Sequence, residues 1–398
     1  MENSFQILRQ VEDLRSRGKD IVNFCIGQPN FDTPRNIKDK AIKAIEDGKT
    51  GYTPSSGIPE LRSAVASYLS LTRRIDVKPD DIVIGSGSKP FIGYTILSVT
   101  DYGKGHEVLY PNPGYPIYES QARVCGTVPV PIPLLEENGY SIDVDCLRSR
   151  ISEKSRLLIL NSPHNPTGSV LNKETLRAIS EIVEKHENLW VLSDEVYSRI
   201  LYDSEFTSIA SINDMAEKTI ILDAVSKTYA MTGWRIGFAA NHLLSPYMSK
   251  WVNNTDSCAV HSSQYAAIEA LTGPQIEADR MVEDYKQRRS LMIEGLNAIK
   301  GIKCPIPSGA FYAWANVTDA CKNIGAKDSE EFREHLLNEA GVAVLSDIHF
   351  GTRNCGEGEH IRLSYAASRE EIEEGLKRIK AYLALSAHTI PVVPAARY

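Results

Sequence analysis

The sequence predicts an α/β protein: a mostly parallel sheet with helices on both faces, and a smaller α+β domain beside it. Three observations support this. From Asp81 to about Ala240, short apolar runs alternate with polar or helical segments, the rhythm of buried strands joined by crossovers. Between two of these runs KETLRAISEIVEKH, Lys173 to His186, lines up Leu176, Ile179, Ile182 and Val183 on one face, as a helix packed on a sheet does. After about Gly273 the rhythm gives way to long charged helices and separate strands, the mark of a second unit.

Taken in order, MENSFQILRQVEDLRSRGKD is charged and helix-like, without the apolar stretch of a signal peptide. DIVIGSG, EVLYPNP, TVPVPIPL, RLLILNSP, LWVLSDE, TIILDAV and RIGFAA read as the strands of the sheet, apolar enough to be covered on both sides. Beyond Gly273, IEADRMVEDYKQRRSLMIEGLNAIK is a long charged helix, AFYAWANV a strand and SEEFREHLLNEA a helix. GVAVLS and HIRLSYA then read as strands and REEIEEGLKRIKAYLAL as a closing helix. The tail TIPVVPAARY, with its prolines and small residues, reads as an extended terminus.

A chain of 398 residues, 42% hydrophobic and 24% charged, falls in the soluble globular range, with about two to three domains. Its net charge of -7 and pI near 5.8 give no basic field for nucleic acid or an anionic membrane, though a local cationic pocket is compatible with them. Small molecules are the expected partners. Cys25, Cys125, Cys146, Cys258, Cys304, Cys321 and Cys355 are scattered, odd in number and without a C-x-x-C pair. They indicate neither a disulfide framework nor a zinc site, and a reducing, cytoplasmic setting fits them. No apolar run approaches the roughly 18 residues that span a bilayer.

The chemistry is sought first at Lys227, in SKTYAMTGWRIG, where the apolar run TIILDAV ends among small and hydroxylated residues. A lone lysine there is ordinarily a solvated loop charge. One that loses its proton more easily than the reference pKa of about 10.4 allows is the neutral amine that forms a Schiff base. Asp194 ends LWVLS, at the carboxyl edge where open α/β sheets place ligands; alone it would read as a turn or cap residue. In NSPHNPTG, Pro163, Pro166 and Gly168 enforce an irregular turn, beside which Asn165 sets an amide. GSGSKP ends the strand DIVI where a helix begins near Ser88, so its glycines admit close backbone approach and the first helical amides point outward. It lacks the spacing of a nucleotide P-loop.

Together these motifs resemble the class I/II family of fold-type-I pyridoxal-phosphate aminotransferases, in order from about Gln6 to Leu385. The resemblance implies a pyridoxal 5'-phosphate enzyme with a large domain over 30–272 and a discontinuous small domain of 1–29 and 273–398. Lys227 matches the family's cofactor lysine and Arg235 its phosphate arginine. Gly87, Ser88 and Lys89 match the phosphate loop, and Ser226 adds a hydroxyl, although many relatives carry a serine where this chain has Ala224. Asp194 matches the carboxylate that keeps the pyridine nitrogen protonated. Tyr197 and Asn165 match the side chains at the ring oxygen, Asn165 also approaching the substrate carboxylate, and Tyr115 in NPGY matches the aromatic that stacks on the ring. Arg362 in HIRLSYA matches the arginine that grips the substrate carboxylate, and Gly27 lies in the strand IGQPNFDTP that lines its pocket. Tyr52, within KTGYTPSSGIPELR, matches a tyrosine that reaches the neighbouring subunit's phosphate, which implies a homodimer with shared active sites.

The implied reaction is ping-pong transamination between an amino acid and a 2-oxo acid, with Lys227 as proton carrier. Lys89 matches a lysine that, in the bacterial aspartate aminotransferase branch, reaches the distal carboxylate of aspartate or glutamate; a phosphate-side or surface role is the alternative. Cys258 and His261 in NNTDSCAVHSSQ, and His349 in SDIHFG, depart from the family's pattern; each histidine is read first as a structural hydrogen-bonder and second as a pocket residue. Rival functions are a lyase, cyclase or oxidase of the same fold, and a transcriptional regulator with an aminotransferase-like sensor, for which the stretch before Gly27 leaves no DNA-binding module. A dinucleotide oxidoreductase lacks its G-x-G-x-x-G fingerprint here.

Overall fold

The apolar runs between Asp81 and Ala240 assemble into one seven-stranded sheet in the computed structural model, which describes residues 4–386. The tail TIPVVPAARY lies outside the described residues. In chain order the strands are β1 (Val22–Asn23), β2 (Ile82–Ser86), β3 (Glu107–Asn112), β4 (Val128–Pro133), β5 (Ser155–Asn161) and β6 (Trp190–Asp194). They continue with β7 (Thr219–Ala224), β8 (Ile236–Ala240), β9 (Tyr312–Asn316), β10 (Val342–Ala343), β11 (Leu345–Ser346) and β12 (His360–Ser364). The large sheet runs β2-β8-β7-β6-β5-β3-β4. All its pairings are parallel except the two made by β8, which runs against β2 and β7.

Both faces of this sheet are covered, so its strands are apolar at successive positions rather than alternately. Along β5, Leu158 and Leu160 join a core with Leu176, Ile179, Ile182 and Val183 of the helix Lys173–Glu184. Leu157 and Ile159, one step out of phase, pack on the other face with Phe91, Ile92 and Ile96 of the helix Lys89–Val99. The helix Lys173–Glu184 begins where Asn172 accepts the Thr175 N–H at 2.8 Å, a side-chain N-cap.

The remaining strands form two small sheets, antiparallel β11-β12-β9 and parallel β1-β10. Val22 and Asn23 thereby pair with Val342 and Ala343. Three elements differ from expectation. The segment IGQPNFDTP is not a strand: β1 stops at Asn23, and Gly27 lies in irregular backbone beyond it. The run GVAVLS does not form one strand: β10 and β11 belong to different sheets. SEEFREHLLNEA is helical over Ser329–His335 and then widens into a π turn over Leu336–Ala340, closed by Gly341 at φ 66. Composition marks none of these changes; the split of GVAVLS follows from the different strands that lie beside its two halves.

Candidate active site

Open parallel sheets leave a crevice at the carboxyl ends of their strands, and a cavity of about 350 Å³ lies there. Asp194 closes β6, Asn161 closes β5, and Ser226 and Lys227 follow β7 in the short helix Val225–Thr228. Because β8 is reversed, its beginning lies at this same edge, with Ser86 opposite Ile236 and Ala224 opposite Gly237. Arg235, one residue before β8, is delivered to the cavity by that reversal.

The loop after β2 and the start of β8 interlock. Gly87 has φ +90, in the region L side chains avoid, and a Cβ there would overlap the Arg235 guanidinium. A Cβ on Gly237 would strike the Ser88 backbone nitrogen. Arg235 donates from Nη2 to the Ser86 carbonyl at 3.0 Å and from Nη1 to the Thr232 carbonyl at 2.8 Å, beside the first turn of the helix Lys89–Val99. Ser88, Lys89, Ser226 and Arg235 line the cavity together. Burial, then Arg235, hold the Lys89 ammonium below the usual lysine value.

Lys227 is half-buried, and its Nζ donates to the Gly27 carbonyl at 2.6 Å. Burial pulls its pKa down to about 8, Arg362 and Arg235 push the same way, and Asp194 opposes them. Asp194 is buried and accepts the Tyr118 O–H at 2.7 Å on Oδ2. Burial pushes its carboxyl up to about 6, against the Tyr118 hydrogen bond and Lys227. Among the described residues no cation lies within ion-pairing distance of Asp194 and no carboxylate within that distance of Lys227 or Arg362.

Arg362, on β12, is buried against two rings, with the centres of Tyr312 at 4.4 Å and Phe350 at 4.7 Å from its guanidinium carbon. Its Nη1 donates to Asn165 Oδ1 at 2.9 Å and its Nη2 to the Cys25 carbonyl at 2.6 Å, while Nε has no hydrogen-bond partner. Asn165 is held in turn by Asn161, whose Oδ1 accepts the Asn165 backbone N–H at 2.9 Å. The Tyr197 and Tyr312 hydroxyls are 2.6 Å apart. Tyr115 lines the cavity with its ring edge-on to Tyr118.

The structure thus gathers Lys227, Asp194, Tyr197, Ser88, Lys89, Tyr115, Asn165, Ser226, Arg235, Gly27 and Arg362 around one cavity. Gly87 sits outside the lining, against Arg235. Tyr52 is also outside it and is 91% exposed. His349 lines the cavity, buried, with Nδ1 2.9 Å from Ser346 Oγ. Cys258 and His261 lie elsewhere: Cys258 Sγ accepts the Thr53 N–H at 3.5 Å, and His261 Nδ1 is 3.2 Å from the Gly51 carbonyl. Sequence reasoning missed Tyr118, Tyr312, Asn161 and Phe350. Asn161 carried a signal, since it ends a strand as Asp194 does; the three aromatics carried none that separates them from core residues.

Pyridoxal phosphate requires an amine, an anion cradle and a buried carboxylate, and all three are present. The orphaned Arg362 Nε, and a Gly87 without a Cβ that lets the Arg235 guanidinium lie against the loop, are further signs that anions complete the site. Fold and site together define a fold-type-I pyridoxal-phosphate enzyme. The chain belongs to the aminotransferase class I and II family, whose model matches residues 19–379. It is 37% identical to an aspartate aminotransferase of Bacillus sp. (strain YM-2) over 380 residues, 95% of each chain. The aspartate aminotransferase of Rhizobium meliloti superposes with a TM-score of 0.90 at 31% identity, over 96% of each chain. That of Thermus thermophilus, solved with maleate, gives 0.89 at 33% identity, over 96% of this chain and 97% of that one. The chain is accordingly a pyridoxal-phosphate-dependent aminotransferase. No helix among the described residues is long and apolar enough to cross a membrane.

Proposed function

We propose that the enzyme exchanges the amino group between an acidic L-amino acid, aspartate or glutamate, and a 2-oxo acid. The observation that carries this is the pairing of two cations in one cavity: Arg362, buried without a carboxylate partner, and Lys89, held partly desolvated. A dicarboxylate satisfies both. The names of the Bacillus and Rhizobium relatives, and the maleate in the Thermus enzyme, support the same substrate class.

When bound, pyridoxal phosphate supplies an aldehyde to hold the amino group and a ring that takes up electron density from the substrate α-carbon. Lys227, neutral above about pH 8, holds the aldehyde and, once displaced by substrate, carries the proton from the α-carbon. Asp194 keeps the ring nitrogen protonated, Tyr197 and Asn165 address the ring oxygen, and Tyr115 stacks on the ring. The backbone amides of Gly87, Ser88 and Lys89, with the side chains of Ser226 and Arg235, bind the phosphate, which leaves the Lys89 ammonium for the substrate. Arg362 with Asn165 grips the α-carboxylate, and the Gly27 backbone lines that end. The proposed domains, 30–272 and the discontinuous 1–29 with 273–398, put Lys227 on one and Arg362 on the other.

The exposed Tyr52 is assigned to the phosphate of a second subunit, making the enzyme a homodimer with shared sites. The seven free cysteines accord with a cytoplasmic setting. A second reading has one observation in its favour: Leu8, Ile26 and Ile117 also line the cavity, which suits a larger apolar donor. A panel of amino donors assayed with 2-oxoglutarate decides between them. Aspartate leading the panel, with that lead lost in Lys89→Ala, is the expected result; an aromatic or aliphatic donor leading it would overturn the acidic assignment.

A further inference from the structure

We infer that Tyr312 is a positioning residue that ties the substrate-carboxylate arginine to the phenol at the cofactor's ring oxygen, an inference that rests on the site reading above. Tyr312 begins β9, opposite Ser364, so it lies diagonally across the ladder from Arg362, whose direct partner is Trp314. A diagonal pair is within reach of an aromatic and a long side chain. The Arg362 guanidinium carbon lies 4.4 Å from the centre of the Tyr312 ring and 4.7 Å from that of Phe350. These two faces, with the hydrogen bonds to Asn165 and the Cys25 carbonyl, offset the buried charge before a carboxylate arrives.

The hydroxyl has a second task. Each phenol has one proton to give. If Tyr197 sends its proton to the ring oxygen, the 2.6 Å contact survives only with Tyr312 donating to Tyr197. Tyr312 then sets the direction of the Tyr197 proton and strengthens it as a donor. The ring is fixed for this role. Tyr312 is 2% exposed and packs edge-on against Tyr197. Its hydroxyl occupies the space where a Cβ at Gly27 would stand, and the Gly27 carbonyl is the acceptor for Lys227. One side chain therefore touches the supports of three site residues.

The two tasks separate by substitution. Tyr312→Phe removes the hydroxyl and keeps the ring under Arg362; Tyr312→Leu removes both. The readouts are the pH midpoint of the bound cofactor's absorbance change and the affinity of the holoenzyme for maleate, which cannot react. Tyr197→Phe removes its hydrogen bond to the ring oxygen and moves the midpoint upward. Tyr312→Phe moves it the same way by roughly 10–30% as much, with maleate affinity kept within about twofold, whereas Tyr312→Leu weakens maleate about 3- to 30-fold. A midpoint unmoved in Tyr312→Phe while Tyr197→Phe shifts it overturns the inference alone, as does unchanged maleate binding in Tyr312→Leu. If Tyr197→Phe itself moves nothing, the placement of the cofactor is wrong and the inference falls with it. Tyr312→Phe changes one buried oxygen, so circular dichroism and thermal midpoint are expected to match wild type closely enough for the titration to be read.

Discussion

Removing the Tyr118 hydroxyl is predicted to change the protonation of Asp194 and, through it, the pH range in which the cofactor binds. The Tyr118 O–H donates to Asp194 Oδ2 at 2.7 Å, and both side chains are buried. A hydrogen bond to a buried charged group is worth about 1.5–3 kcal/mol, and one pKa unit corresponds to about 1.4 kcal/mol. Tyr118→Phe leaves the ring in place and withdraws that support from the charged form only. The carboxyl, already at about 6 through burial, then rises about 1–2 units further. At pH 7 the ionised fraction falls from about nine-tenths to between roughly one-half and one-tenth. Only the carboxylate can hold the ring nitrogen's proton, so cofactor affinity in the apo-protein should fail at a correspondingly higher pH and recover above about pH 9. Quenching of tryptophan fluorescence on adding pyridoxal phosphate measures this. The Asp194→Asn protein serves as the reference, since it lacks this titration and keeps the phosphate's own. The stability sign agrees: the deficit caused by Tyr118→Phe is largest above the carboxyl's pKa and shrinks as the pH falls and Asp194 becomes neutral. A binding curve for Tyr118→Phe that superimposes on wild type across pH 5–9 would refute the reasoning.

Three further outcomes are expected. In the apo-protein, Lys227 is deprotonated above its lowered pKa, so its reaction with a simple aldehyde, trapped by borohydride and located by peptide mass, should rise with pH through about 8 rather than 10.5; a midpoint near the ordinary lysine value would show the amine to be solvated. Gly87→Ala forces a side chain into a positive-φ position and displaces Arg235, costing about 1–3 kcal/mol, and calorimetry should register it as weaker cofactor binding with little change in an amino donor's KM. Arg362→Ala strands the Asn165 and Cys25 acceptors and removes the cation for the α-carboxylate, which should lower kcat/KM by a factor on the order of 10² or more; retention of activity would place substrate elsewhere.

The site was legible in the sequence wherever a polar residue stands at the end of an apolar run. Asp194 after LWVLS and Lys227 after TIILDAV belong to this kind, because a strand of the large sheet, covered on both faces, opens to the ligand edge where it ends; Arg362, in the middle of β12, reaches the cavity from the small sheet instead. Tyr118 and Tyr312 stand in the first positions of their elements, among other aromatics that pack as core. Their hydroxyls matter because Asp194 and Tyr197 happen to lie 2.7 and 2.6 Å away, distances that no local pattern encodes. Strand direction was also hidden. RIGFAA reads identically in either sense, yet its reversal in β8 is what carries Arg235 to the ligand edge. Tyr52 shows the opposite limit: its motif was readable, but within one chain it is 91% exposed, so its assigned role depends on a second subunit.

The charges around the cavity also explain how two anionic groups can govern one amine. Lys227, Arg235, Arg362 and Lys89 share the space with a single buried carboxylate, Asp194. Burial moves the lysine down to about 8 and the aspartate up to about 6, so the empty site disfavours charge on both. Arg235 and Arg362 are the next largest causes of the lysine's low value. On the proposed assignments, a phosphate beside Arg235 would neutralise one of them and a carboxylate on Arg362 the other, and each would make the Lys227 amine a stronger base. The lysine is thus least basic when it must be neutral to capture an aldehyde. It becomes most basic with both anions in place, which is when a proton has to be drawn from the substrate. The aromatic faces of Tyr312 and Phe350 allow Arg362 to wait in a buried position without a carboxylate of the protein's own, since such a carboxylate would cancel this effect and compete with the substrate for the guanidinium.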